Sequence, residues 1–272
     1  MSITSVQFGG ALAVHLLGDV GAAGGVFLRL AFAALALVVL VRPRVRALRR
    51  DQLELAVLFG AVLAGMNLAF YEALERLPLG ITVTIEFAGP LSVAVALSRR
   101  RLDLLWAGLA AVGIMLLAQP WGQAIDTAGL VFALIAAALW AWYILIAKRV
   151  GEHYDGAEGV AVAMVFATIL AIAPGVASGG ANLLEANALI LGAAVAILST
   201  AIPYTLEVEA LRRLPANVFG VLMSLEPAVA ALAGFVVLGQ TLSATDLVAI
   251  ALVVTASVGA SLEGAPARPP EA

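Results

Sequence analysis

The chain is predicted to be an all-α integral membrane protein of ten transmembrane helices, arranged as two inverted-topology repeats of five. Three observations predict this: the composition, the placement of the cations, and a seven-residue motif that occurs twice. Of 272 residues, 63% are hydrophobic and only 12% are charged, with a mean hydropathy of +1.06. An ordinary soluble domain carries about 25% charged residues, and here the shortfall is spread along the whole chain. No room is left for a soluble domain.

A bilayer core needs roughly 20 apolar residues per helix. Spans are expected near 3–18, 22–41, 53–74, 79–98, 102–118, 127–147, 157–177, 187–207, 215–238 and 244–262. Between them stand the residues that interrupt helices: Gly21 to Gly25, Pro43, Pro78, Pro120, Gly151, Gly179-Gly180 and Pro215. The first span is short and holds Gln7, Gly9, Gly10 and His15. It lacks a cationic leader and a clear cleavage site, so it reads as a retained helix. The Pro-rich segment 263–272 reads as a disordered cytoplasmic tail.

Arg42, Arg44, Arg46, Arg49 and Arg50 fall between spans 2 and 3, and Arg99, Arg100 and Arg101 between spans 4 and 5. Lys148 and Arg149 follow span 6, Arg212 and Arg213 follow span 8, and Arg268 lies in the tail. Thus 13 of the 15 cations lie on every second connection. The positive-inside rule then puts both termini in the cytoplasm. Arg42 to Arg50 would also lie where anionic lipid is met.

The motif is EALERLP at 72–78 and EALRRLP at 209–215, an offset of 137 residues. At that offset Pro90 falls on Pro227, and 7 of the 19 positions from 72 to 90 match. An odd number of spans, five, separates the copies, so the first closes span 3 outside and the second closes span 8 inside. This is the signature of an inverted repeat, 1–121 against 122–262, an architecture suited to alternating access.

Charges at membrane depth cost about 2.5–3.5 kcal/mol or more, which makes each a candidate for function. Arg29, Asn67 and Glu86 each fall about seven residues from the outer end of their spans, in one layer on the order of 10 Å deep. Glu226 falls near the midplane. A lone buried carboxylate must take up a proton or meet a cation, so Glu86 and Glu226 are the candidates for proton coupling or for a substrate amine. Arg29, turned inward, would meet a carboxylate; turned outward, it would snorkel to the interface. An ion pair between Arg29 and Glu86 and a plain interhelical hydrogen bond from Asn67 are the structural alternatives. Pro90 and Pro227 are expected to break their helices and to free the carbonyls of residues 86 and 223 toward a cavity.

By the repeat offset Asn67 corresponds to Tyr204, with Ser199 and Thr200 a turn above. Trp140 and Tyr143 share a face of span 6, their alternative being an interfacial aromatic belt. Glu72, Glu75, Glu207 and Glu209 lie near span ends and read as interfacial. His15 reads as a packing residue. With two histidines and no cysteine there is no zinc constellation, and there is no P-loop, dinucleotide glycine pattern or HExxH. No cofactor, metal or nucleic-acid partner is expected, and nothing marks an enzyme. The expected partners are a small-molecule solute, protons and the lipid bilayer. The sequence sets no oligomeric state, and a monomer is compatible with it.

The segments PLGITVTIEFAGPLSVAVALSRR (78–100), ALWAWYIL (138–145) and AVAILSTAIPYTLEVEALRRLPANVFGVLMSLEPAVAAL (194–232) resemble the EamA group of the drug/metabolite transporter superfamily. Within it they are most similar to the bacterial threonine/homoserine exporter branch, over about residues 20 to 262. The resemblance implies ten helices in two inverted halves, a bacterial inner-membrane location, and export of small amino acids or related metabolites in exchange for protons. It implies substrate-binding roles for Asn67, Glu86, Trp140, Tyr143, Tyr204 and Glu226. Span 1 matches poorly. Rival readings are efflux of aromatic or cationic drugs on the same fold and a membrane-embedded lipid enzyme. The second needs a clustered acid, base and nucleophile that four polar groups on four helices do not supply.

Overall fold

The computed structural model describes residues 2–44, 48–97, 102–118, 126–154, 157–201, 203 and 225–263. Among these residues all regular structure is helical. The helices are α1 (Ser2–Val41), α2 (Arg50–Leu74), α3 (Leu79–Glu86), α4 (Ala88–Leu97), α5 (Leu102–Ala118), α6 (Thr127–His153), α7 (Glu158–Gly179), α8 (Ala186–Ala196), α9 (Glu226–Leu238) and α10 (Ala244–Glu263). A 3-10 turn (Gly180–Leu184) leads into α8, and a π turn (Ile197–Ala201) follows it. By length and composition, Ile3–Val41, Arg50–Leu74, Thr127–His153 and Glu158–Leu184 are able to cross a membrane; five shorter apolar helices accompany them. Large apolar side chains face outward, among them Leu40, Met115, Ile190 and Phe235. In water such a surface would aggregate; against lipid it is the ordinary exterior.

The expected break between the first two spans falls at one residue. Gly21 has φ 71° and ψ 171°, a left-handed conformation that favours glycine, and it divides α1 into limbs 2–20 and 22–41. Gly9 on one side of it and Arg29 on the other both meet Ser199. The limbs therefore run antiparallel, as a hairpin with a single-residue turn.

Small residues set the spacing of the bundle, as expected where packing rather than water drives helix association. A Cβ on Gly80 of α3 would come within 2.8 Å of Ala231 Cα in α9. One on Gly60 of α2 would come within 2.6 Å of the Ala163 carbonyl in α7, and Gly89 of α4 lies directly on the Ala137 carbonyl of α6. The main apolar core joins both limbs of α1 to α2, α6, α7 and α9 through residues such as Val26, Phe59, Tyr71, Leu79 and Val195.

The connections gather at two ends. At one, the Ala22 amide donates to Glu75 Oε1 (2.6 Å), Ser178 Oγ to the Val20 carbonyl (3.0 Å), and Asn182 Nδ2 and Asn187 Nδ2 to Asp19. The Leu79 amide there donates to Gln240 Oε1, and Gly129, in the first turn of α6, lies against Arg76 and Leu77. At the other end, Tyr154 Oη donates to the Gln52 carbonyl and Gln52 Nε2 to the His153 carbonyl, both at 2.6 Å. The cations Arg49 and Arg50 belong to this second end and pair with Asp51 and Glu54.

One expected span takes a different form. Span 79–98 is not one helix but α3 and α4, divided at Phe87. Pro90 has no N–H to give the Glu86 carbonyl, so the ladder stops there. Of the expected span 215–238 only residues from 225 on are described, and Pro227 lies in the first turn of α9. The second motif copy (209–215), residue 223, the cation-bearing segments 99–101 and 212–213, and residues 264–272 of the tail lie outside the described residues.

Candidate functional site

Glu86 closes α3, and every residue of that helix is buried. The helix spends its other polar groups on itself: Thr82 Oγ1 donates to the Pro78 carbonyl and Thr84 Oγ1 to the Gly80 carbonyl. The Glu86 carboxylate has no such partner among the described residues. What lies near it is Arg29, which is within electrostatic reach. The direct ion pair weighed from the sequence does not form; no described carboxylate lies within 4.0 Å of Arg29 as an ion pair.

Arg29 does turn inward. Its Nη2 donates to the Ser199 carbonyl at 3.5 Å, and its guanidinium carbon stands 5.7 Å from the centroid of the Tyr71 ring. Pro203, four residues on, has no N–H to give the Ser199 carbonyl, and the carbonyl lies in a π turn, a distortion frequent at functional sites. The neighbouring Leu198 carbonyl accepts from Ser5 Oγ at 2.7 Å. The π turn thereby holds both limbs of the α1 hairpin. Among the described residues, Arg29 Nε and Tyr71 Oη are fully buried without a hydrogen bond of good geometry, although the Tyr71 hydroxyl lies close enough to the guanidinium to interact with it.

Asn67 is buried four residues before Tyr71 on α2, but its Nδ2 donates to the Leu63 carbonyl of its own helix at 2.8 Å. Trp140 does belong near Glu86: its ring meets the adjacent Phe87 edge-on, with centroids 5.6 Å apart. Tyr143, one turn on, instead stacks on Phe59 of α2 at 5.2 Å, joining the packing between α6 and α2 rather than an exposed belt. Tyr204 lies outside the described residues. Glu226 is buried at the start of α9, and it is engaged rather than free.

The level of Glu226 follows from the packing of α9 on α3. Leu79 meets Gly234 while Gly80 meets Ala231, so the helices run antiparallel. Six residues on from Gly80 is Glu86; six back from Ala231 is Leu225, beside Glu226. At about 1.5 Å per residue the two carboxylates are nearly level on adjacent helices. Arg29 and Tyr71 thus meet, Glu86 lies within electrostatic reach of Arg29, Trp140 packs on the neighbouring Phe87, and Glu226 is nearly level with Glu86. His15 is exposed and bonds within its own helix to the Ala11 carbonyl.

Sequence reasoning missed two residues. Tyr71 precedes the first motif copy, where the second copy has Val208; that mismatch was the available signal. Glu75 reads as interfacial, yet its carboxylate caps the second limb of α1 by accepting from the Ala22 amide. Its neighbours Glu72 and Arg76 pair at 2.7 Å. Among the described residues no group of three or more His, Cys, Asp or Glu side chains is placed to hold a metal.

The family described as EamA-like transporter family matches residues 127–262. The threonine/homoserine exporter RhtA of Salmonella typhimurium (strain LT2) is 42% identical over 266 residues, covering 96% of this chain and 89% of that protein. The protein of the same name from Escherichia coli (strain K12) matches with the same identity and coverage. A solved crystal structure superposes with a TM-score of 0.68 at 18% identity, over 97% of this chain and 95% of that one, a likeness of fold.

Proposed function

The chain belongs to the EamA-like transporter family, and from that premise we propose that it exports small amino acids of the threonine or homoserine kind across the bacterial inner membrane. The carrying observation is Glu86: a buried carboxylate without a hydrogen-bond partner among the described residues, within electrostatic reach of an inward-turned Arg29. A zwitterion presents both charges such a pair can answer, its ammonium to Glu86 and its carboxylate to Arg29. Because a proton and an ammonium compete for the same carboxylate, Glu86 couples the two by exchange, and Glu226, nearly level with it, serves as a second proton-coupling group. Trp140 and Tyr204 are assigned to the wall of the substrate site, and Asn67 and Tyr143, bonded to the Leu63 carbonyl and stacked on Phe59, support it from behind.

The proposed mechanism is alternating access between two inverted five-helix halves, 1–121 and 122–262, with both termini cytoplasmic. The helix pairings support it. If each helix of one half is exchanged for its counterpart five places on, the pairs map onto each other. Limb 2–20 on α8 maps to α6 on α2; limb 22–41 on α8 maps to α7 on α2. α3 with α9, and α5 with α10, map onto themselves. A protein built this way moves by rocking one set against the other. Its one-sided chemistry lies in residues the repeat does not duplicate, since Glu86 aligns with Met223.

The test is reconstitution in liposomes with labelled threonine and an imposed pH gradient. Uptake that follows the gradient in the wild type, and falls at least about 100-fold in Glu86→Gln plus Glu226→Gln, supports the proposal. Full activity in the double variant, or flux indifferent to the gradient, refutes the coupling. The edge-on Phe87–Trp140 pair beside Glu86 favours one alternative, efflux of aromatic cations, which cationic dyes would reveal by displacing threonine.

A further inference from the structure

Among the described residues, Arg29 Nε and Tyr71 Oη are fully buried without a hydrogen bond of good geometry, with the Glu86 carboxylate within electrostatic reach of the guanidinium. Tyr71 is wholly buried, its ring pressed against Gly25 of the second limb, while Arg29 stands over that ring. Neighbouring polar groups in this bundle satisfy themselves locally, as Asn67, Thr82 and Thr84 do on their own helices. Buried donors left open are uncommon in folded proteins and call for an explanation. Both open groups are donors, one is cationic, and they come from two different helices and converge.

We infer that Tyr71 and Arg29 together form a carboxylate subsite, in which the Tyr71 hydroxyl and the guanidinium bind the carboxylate of the transported solute. The inference rests on the export reading and makes Tyr71 a specificity-determining residue of that site. Its chemistry is selective in a definite way. A planar carboxylate accepts from the guanidinium and from a phenol at once. A primary amide in its place is uncharged and brings an NH2 group to a place where only acceptors are wanted. The Ser199 carbonyl, to which Pro203 has no N–H to give, accepts from the guanidinium Nη2 and helps to fix it. Glu86, within electrostatic reach of Arg29, then faces the ammonium end. The subsite therefore orients the amino acid rather than merely attracting it. A solute lacking the carboxylate has no hold on the α1 hairpin and none on α2.

The experiment is competition against labelled threonine in proteoliposomes by unlabelled threonine and by threoninamide, for wild type and Tyr71→Phe. Wild type should prefer threonine roughly ten-fold or more, as expected for loss of a charge-assisted bond. Tyr71→Phe should raise the KM for threonine by a similar factor with little change in maximal rate, and should leave threoninamide inhibition where it was. The thermal midpoint should fall little, because the hydroxyl removed makes no hydrogen bond of good geometry among the described residues and meets only the neighbouring guanidinium. Arg29→Lys should retain part of the preference. Equal competition by acid and amide in the wild type overturns the inference, as does Tyr71→Phe weakening both alike. A second measurement separates this from the export reading: saturation-transfer NMR of the purified chain with propionate and with propionamide. If no amino acid is transported, export falls; propionate contact that is lost in Tyr71→Phe still upholds the subsite, and its absence refutes it.

Discussion

Two polar clusters, one at the rim and one at depth, are built on opposite principles. At the rim, Asp19, Glu75, Ser178, Asn182 and Asn187 each bond to a backbone or side-chain partner around the Gly21 turn. At depth, Glu86, Arg29 and Tyr71 leave their groups largely open. Water is close by at the rim, so an open group there would be cheap; in the buried layer an open group is costly. The groups are thus satisfied where satisfaction matters less to stability and left open where it matters more. What is bonded holds the fold, and what is open awaits a solute.

That contrast can be broken by substitution. The largest effect belongs to the interior: Arg29→Gln should cut initial rates of threonine transport by about 100-fold or more, because a charge pairing is lost. Thermal stability should move by no more than about 1 kcal/mol, since the native bonds lost are few. A collapse of stability would show Arg29 to be structural. Next is the rim: Glu75→Ala should lower stability by about 1–2 kcal/mol, the usual cost of a lost helix cap, and change transport rates by less than about three-fold. Transport abolished with stability intact would dissolve the distinction. The smallest effect is Asn187→Ala, whose exposed bond to Asp19 should be worth under about 1 kcal/mol and nothing in transport, measured by the same two assays.

The sequence made the interior legible where physics makes polarity expensive. Arg29, Glu86 and Glu226 stand out against apolar surroundings, and the helix division near Pro90 follows from a missing N–H. Trp140 was legible by its spacing, whereas Tyr143 was placed by a stack on Phe59 that no local pattern encodes. Tyr71 was hidden because a tyrosine near a helix end resembles an interfacial anchor; only the approach of Gly25 and Arg29 from a distant limb buries it. The role of Glu75 was hidden for a similar reason, since its partner is a backbone amide 53 residues away. Asn67 was legible as a buried polar residue, but its amide turns back onto the Leu63 carbonyl. Sequence position gives depth, and only packing gives direction.

The single-residue turn at Gly21 also bears on how the molecule moves. A connection of one residue stores no slack, so neither limb of the hairpin shifts without carrying the other. Arg29 rides on that unit, whereas Tyr71 rides on α2, beyond the 2–3 connection. Any sliding of hairpin against α2 changes the separation of the two groups directly, with no soft linkage to absorb it. The hairpin is in this sense a stiff lever, and the distance from guanidinium to phenol is its gauge.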